Sequence, residues 1–488
     1  MASSPIFKRP CSWVPAFAGM TKGSDRPKLS TMADADPTLR RFIPPYPPRS
    51  EGPVSAWRGF FGERARTAVY GWSERAFAEP YLKRKVLGYT VHMPLQPDLV
   101  QHVLLDNAAN YVKPDLVKRL LHRTIGRGLL SSDGELWREQ RKIVAANFAP
   151  VAIDRLIPTF TNAANGVASG WHEGEVDVAA SGVAVTMRII ADSLFAGDPR
   201  LTTAAAVNHI KAALDGVGEA RLQVLLGLPL MPWSLRGKRA HAGQRYLRET
   251  LGQVVRDRGP DGGPDDFLGG LIRALNAKFA PDEAFALAVD NAATFYLAGH
   301  ETTSNALAWT LFLLSEQPAL QERCAAEAAA ALAKGEADPD LPERLPLLRR
   351  VLEESLRLYP PAPRFDRQAV AADRIGDYEV NSGDIVSIWP WLLHRHRDLW
   401  DDPDAFDPDR WLPEAKAARH RFQYLPFGGG PRLCVGMRFA TIEALAVLAH
   451  WLRGWRFAPL PGREVQVSGM ITMRPKGGLP LILSKRQN

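Results

Sequence analysis

Cysteine is nearly missing from this chain. It has three in 488 residues, Cys11, Cys324 and Cys434, and no CxxC pair. Neither a disulfide framework nor a zinc ribbon can be built from them, so an intracellular, cytoplasmic setting is expected, and a cysteine that matters must act alone. Long apolar runs are missing too: no uninterrupted stretch reaches the ~18 residues of a membrane span, and no transmembrane anchor is expected. Charge of one sign is not concentrated in the body. The 61 basic and 53 acidic side chains give +8, but residues 1–50 alone hold eight basic and three acidic ones. A nucleic-acid partner would need a concentrated basic stripe, so none is expected; a mild local excess suits an acidic protein partner. Apolar residues are plentiful at 46%, and charged residues stand at 23%. That is ample for a large core and argues against global disorder.

Residues 1–31 follow neither the helical nor the strand period, and their longest apolar stretch is broken by Pro15 and Gly19. This makes a poor signal peptide. Residues 1–40 are read as a disordered or spurious extension, and residues 41–488 as one domain. Beyond Pro53 the pattern is mostly helical. Helices are expected over Ser55–Phe77, Pro97–Asn107, Asp133–Phe148 (capped by Ser132 or Asp133), Val178–Phe195, Arg236–Arg258, Pro342–Leu358 and Gly436–Leu452, with a hairpin at Arg84–Met93. Leu222–Trp233 reads as an apolar loop. The most informative segment, about Asp282–Gln317, is apolar nearly all round and so must run buried through the middle of the molecule. Its centre, AGHETT (Ala298–Thr303), places a glycine and polar groups where both are costly. The fold class expected is mainly α with small β-sheets, built around this helix.

Cys434 sits in FGGGPRLCVG (Phe427–Gly436), immediately before a helix. A lone cysteine in such a place is usually a small buried apolar residue. Here Phe427, Gly430, Arg432, Cys434 and Gly436 match FxxGxRxCxG residue for residue, and the loop resembles the haem-binding loop of the cytochrome P450 superfamily. Two further motifs follow in family order. Glu354 and Arg357 form ExxR, and with Arg410 of PDRW they resemble the family's Glu–Arg–Arg cluster, Asp409 replacing the usual Glu. Ala298, Gly299, Glu301 and Thr302 resemble its AGxET oxygen-activation motif. The resemblance extends over about residues 40–485.

The resemblance implies a P450-like single domain holding haem b, with Cys434 as the thiolate ligand of iron. A helix N-terminus and loop N–H groups would favour the anionic sulfur. Phe427 would cover the ligand, and Gly430 and Gly436 would let the backbone approach the macrocycle. Arg432, Trp137, Arg141, Arg367 and His394 match positions that reach haem propionates. Thr302 and Glu301 would handle protons where the helix widens, beside Ala298 and Gly299, and His300 would point away from iron. Counting back from Thr302 puts Ala298, Leu297 and Thr294 in the substrate pocket, with Ala362 and Arg364 from the turn after the ExxR helix. Arg364 would pair with a propionate or solvent, or else anchor an acidic substrate. Leu222–Trp233 would be a lid.

The implied reaction is insertion of one oxygen atom into an apolar small molecule by a monomeric enzyme. Electrons would come from NAD(P)H through a ferredoxin or flavodoxin with its reductase, docking near Arg138, Lys142, Arg421 and Arg438. A peroxide-using peroxygenase and a non-catalytic haem sensor are the alternative readings.

Overall fold

Tyr81–Val86 (β1) and Tyr89–Pro94 (β2) pair as an antiparallel hairpin whose turn includes Gly88 at φ +83°. The computed structural model describes residues 40–52, 67–86, 88–215, 234–469 and 471–487. Residues 36–488 form one contact unit. Of the helix expected over 55–77, residues 55–66 lie outside the described residues; the rest is turns and a single 3-10 turn, Glu74–Phe77. The loop expected to act as a lid also lies outside them.

The remaining strands are short: Tyr111–Val112 (β3), Gly174–Asp177 (β4), Phe365–Ala369 (β5), Asp373–Ile375 (β6), Tyr378–Val380 (β7), Ile385–Ile388 (β8), Trp455–Pro459 (β9), Val467–Ser468 (β10), Arg474–Pro475 (β11) and Pro480–Lys485 (β12). They form a five-stranded sheet in the order β1-β2-β8-β5-β3, a three-stranded sheet β4-β12-β9, and the two hairpins β6-β7 and β10-β11. The β5–β8 register places the chain after the ExxR helix inside the five-stranded sheet.

Eleven helices of ten or more residues, among the described residues, make up the bulk: Asp115–Ile125 (α1), Gly134–Asn147 (α2), Ile157–Ala168 (α3), Val178–Leu194 (α4), Ala204–Asp215 (α5), Leu235–Arg258 (α6), Phe267–Asn276 (α7), Pro281–Ser315 (α8), Pro318–Leu332 (α9), Pro346–Leu358 (α10) and Met437–Gly454 (α11). Helix α8 opens with Pro281 in its first turn, followed by Asp282 and Glu283, which suit the positive end of the helix. Its 35 residues span about 52 Å at 1.5 Å per residue, and most are buried. Helix α4 lies along it. A Cβ on Gly299 of α8 would fall 2.5 Å from Ile190 of α4. The glycine leaves room for the Ile190 side chain, and α8 is unbroken from end to end, without the widening expected at this point. Helix α11 is pinned to α3 by Trp451, whose indole N–H donates to the Ala164 carbonyl at 3.1 Å.

Candidate active site

The Phe427–Gly436 loop runs from an irregular stretch into α11. It closes on itself through Cys434 N–H to the Phe427 carbonyl (3.0 Å) and Leu433 N–H to the Gly430 carbonyl (3.1 Å). Phe427 and Val435 pack partly buried against the main core and fix both ends of the turn. Gly430 has φ +65°, and a Cβ there would lie 1.7 Å from the Leu104 carbonyl oxygen. The loop seats on neighbouring backbone here, and that alone requires glycine. Gly436 stands at the start of α11, where a Cβ would make only an ordinary 3.7 Å contact with Phe148. The Cys434 side chain is exposed, yet burial pushes its thiol up, opposed by the Gly436 N–H and the Arg141 guanidinium. Cys324, by contrast, is fully buried in α9.

Aromatic packing ties the start of α11 to α8. The Phe148 ring lies 5.7 Å from Phe295 of α8 and 6.1 Å from Phe439 of α11. On α8, Ala298 is exposed and Thr302 half-buried within a helix that is otherwise largely covered. Four residues apart, they sit about 40° from each other and form one open face. The Thr302 hydroxyl donates to the Ala298 carbonyl at 2.8 Å, which leaves its lone pairs to accept. Glu301 is turned toward the β10–β11 hairpin, where its carboxylate accepts from the Thr472 hydroxyl (2.6 Å) and meets Arg474 at 3.5 Å. His300 is buried, with Nδ1 at 2.8 Å from the Tyr296 carbonyl, and burial lowers its pKa. Two expected pocket residues are corrected. Thr294 is 4% exposed and bonds back to the Asp290 carbonyl at 2.8 Å, while Leu297 is 8% exposed. Leu297 lies five residues from Thr302, about 140° round the helix, and so faces packed protein.

Above the loop stands a group of cations. Arg432 donates to the Ser132 carbonyl (2.8 Å) and to Asp133, and its guanidinium lies 4.1 Å over the Trp137 ring. Asp133 begins α2 without its carboxylate capping that helix; it also accepts from the Lys113 N–H (3.3 Å) and stands 3.5 Å from Lys118. Arg367 is 9% exposed and donates to the Asp366 carbonyl at 3.0 Å. Burial and the nearby Arg432 bring it down to about 10. Lys113 is held well below its ordinary value by burial, Arg432 and Arg367. Sequence reasoning missed Lys113 and Asp133. Their only signal is position: one follows β3 and the other precedes α2, and the fold alone brings them together.

Beneath the loop, Arg357 clasps Glu354 through Nε (2.8 Å) and Nη2 (2.7 Å), both side chains fully buried. Arg357 also donates to the carbonyls of His394 (2.8 Å), Pro403 (2.6 Å) and Ala405 (2.9 Å). Glu354 accepts from Asp407 N–H (2.9 Å) and the Trp411 indole (3.0 Å), with Arg410 at 3.4 Å. Asp409, the departure from the family pattern, accepts from Arg350 of α10 at 2.6 Å and so ties the same segments.

His394 is corrected. It is fully buried; Leu425 N–H donates to its Nε2 (2.8 Å), and its Nδ1 lies 3.2 Å from the Arg357 carbonyl. A neutral ring with its proton on Nδ1 satisfies both bonds, and no nitrogen remains for a propionate. Arg364 is corrected as well: it pairs with Asp366 at 2.9 Å and lies 5.2 Å from the Trp389 ring centre. Ala362 is half-buried in the turn before it.

These residues fit a flat, doubly anionic macrocycle. There is an exposed cysteine thiol, an open helix face at Ala298 and Thr302, and a largely covered group of Lys113, Arg367 and Arg432 with Asp133 as the carboxylate among them. The Cytochrome P450 family model matches residues 74–480. Cyclooctatin synthase of Streptomyces melanosporofaciens is 32% identical over 389 residues, spanning 77% of this chain and 82% of the relative. Cyclooctat-9-en-7-ol 5-monooxygenase of the same organism is 30% identical over 431 residues, 83% of this chain and 92% of the relative. Among solved structures, the heme domain of cytochrome P450DA superposes with a TM-score of 0.76 at 25% identity, covering 92% of this chain and 99% of that one. No single helix among the described residues is long and apolar enough to cross a membrane. The chain belongs to the cytochrome P450 family and is a monooxygenase, an oxidoreductase whose family implies a haem cofactor and NAD(P)H-derived electrons delivered through a partner.

Proposed function

We propose that this P450 holds haem b on Cys434 and inserts one oxygen atom from O2 into an apolar organic substrate by hydroxylation or epoxidation. When bound, the haem supplies the activation of oxygen. The observation that carries the reading is Cys434, an exposed cysteine thiol in the turn that leads into α11. The Gly436 N–H and Arg141 favour its anion. Lys113, Arg367 and Arg432 would bind the two propionates by charge-assisted hydrogen bonds, Arg432 exchanging or sharing its bond to Asp133. Trp137 would keep Arg432 in place by stacking. Thr302 would orient a proton-bearing group through its free lone pairs, and Glu301, steadied by Thr472, would hold a proton nearby. The cyclooctatin-named relatives support an apolar substrate of terpenoid size. A ferredoxin or flavodoxin with its reductase would supply the electrons to a cytoplasmic, monomeric enzyme.

The test is the absorbance of the reduced, CO-treated protein. The strongly red-shifted band of thiolate ligation is expected in the native protein and in Cys324→Ala, and its loss in Cys434→Ala. A thiolate band that survives in Cys434→Ala overturns the reading. Turnover with O2 and a surrogate ferredoxin pair, against turnover with peroxide alone, separates monooxygenase from peroxygenase.

A further inference from the structure

We propose that a cleft between α1, α6 and the N-terminal half of α8 binds an amphiphilic organic anion: a carboxylate, sulfate or phosphate head on an apolar body. The cleft is about 590 Å³, a usual size for a small-molecule site. Val289, on its floor, lies thirteen residues before Thr302, about 20 Å along the helix at 1.5 Å per residue. The cleft is thus separate from the proposed reaction centre.

Helix α6 carries seven arginines and lysines against two acids. Four arginines line the cleft, Arg123 from α1 and Arg245, Arg248 and Arg256 from α6, and Glu249 is the one acid among its described lining residues. Glu249 offsets one of these charges: it stands 3.7 Å from Arg245, with both side chains about two-thirds exposed. Arg256 donates to the neutral Gln253 amide oxygen at 3.1 Å. Arg248 spends one nitrogen on Asp290 at 2.9 Å, while its buried Nη1 has no hydrogen-bond partner. Between these cations lies an apolar surface: Phe285, a large exposed side chain 5.8 Å from the Arg256 guanidinium, beside Val289. Guanidinium forks match planar oxyanions, and the phenyl floor matches a hydrocarbon or aromatic body.

Arg248 connects the cleft to the rest of the protein. Its partner Asp290 also accepts from the Arg127 N–H (2.7 Å), and the next residue of α8, Asn291, holds Leu129 N–H (3.0 Å) and the Gln140 side chain (2.6 Å). Gln140 stands on α2, which carries Trp137 and Arg141. An anion that takes Arg248 loosens its pull on Asp290, so a bound anion is either a substrate held before reaction or an effector felt at α2.

The experiment titrates the full-length holoenzyme with 8-anilinonaphthalene-1-sulfonate, an aromatic sulfonate read by fluorescence. Dodecanoate and dodecan-1-ol serve as competitors. One probe per chain is expected to bind, weakening with salt, and dodecanoate should displace it at least tenfold better than the alcohol. The double charge reversal Arg245→Glu with Arg256→Glu should lower probe affinity at least tenfold, with the melting temperature unchanged. Both positions are exposed, so folding is not at stake. If the anion is a substrate, the double variant raises KM for dodecanoate alone. If it is an effector, dodecanoate shifts the affinity of neutral imidazole for the haem in the native protein and not in the variant. Equal probe affinity in the two proteins, or equal competition by the alcohol, overturns the proposal. The fluorescence readout does not depend on the haem reading.

Discussion

Thr302 shows how little separates a structural from a chemical role at the scale of one residue. Its hydroxyl proton is spent on the Ala298 carbonyl, as for many threonines inside helices. What remains toward the open face is an acceptor. Thr302→Ala removes that acceptor and one local bond, a loss of about 1 kcal/mol that the buried α8 can absorb. Haem content and substrate binding should stay as in the native protein, while the share of NAD(P)H ending as hydrogen peroxide rises several-fold. Unchanged coupling of NAD(P)H to product would refute the role. Gly430 is the opposite case, where packing decides. A Cβ at φ +65° pressed to 1.7 Å from Leu104 oxygen cannot be accommodated by a side-chain rotation, because the obstacle is backbone. Gly430→Ala should cost about 3 kcal/mol, displace the loop, and lower the ratio of haem to protein absorbance. Gly436→Ala, facing an ordinary contact, should lower it far less.

Among elements, α10 and the segment around Asp407 depend on a fully buried ion pair. Burial alone would raise the Glu354 carboxyl, but Arg357, Arg410 and the Asp407 N–H outweigh it and hold it below its ordinary value. As pH falls, the unfolded chain therefore takes up this proton first. The contribution of the pair is full above about 4.5, the ordinary value, and drains away below it. Glu354→Gln should lower the melting temperature at neutral pH, since an unpaired buried Arg357 costs about 3–5 kcal/mol. The variant should then lose less on further acidification than the native protein. A parallel fall of the two curves below pH 4.5 would refute the linkage. Elements were unevenly legible in the sequence. Helix α8 declared itself by an apolar run too long for anything but a buried helix, and α10 by its prolines and period. Helices α1, α3, α5, α7 and α9 went unnamed. Much of the alanine-rich α9 is apolar all round, leaving its period little contrast; Asp133 does stand at the N-cap of α2, but Lys113, Lys118 and Arg432 take its carboxylate.

The same asymmetry holds for the whole molecule. Motifs locate groups that meet each other inside one short segment, which is why the Glu354–Arg357 pair was readable. They do not report what the rest of the fold has already taken. His394 was spoken for by Leu425 and Arg357, and Arg364 by Asp366. Surface charge obeys this rule too, and it sharpens the proposed docking of an acidic electron donor. Of the four cations expected near the cysteine loop, Arg138 is paired with Glu135, and Arg438 donates to Asp154 at 2.7 Å. Lys142 and Arg421 are exposed and have no ion pair among the described residues. An ion already paired presents a dipole to an approaching protein, and its field falls off faster than that of a free charge. Steering should therefore rest on Lys142 and Arg421 and act mainly on the association rate. Lys142→Glu and Arg421→Glu should each slow the second-order reduction by an acidic ferredoxin several-fold at low salt. Arg138→Ala and Arg438→Ala should change it little. With the Debye length reduced to about 3 Å at 1 M salt, the four variants and the native protein should converge. Stopped-flow reduction under CO reads the rates directly, and charge reversals that leave the salt dependence untouched would place the donor on another face.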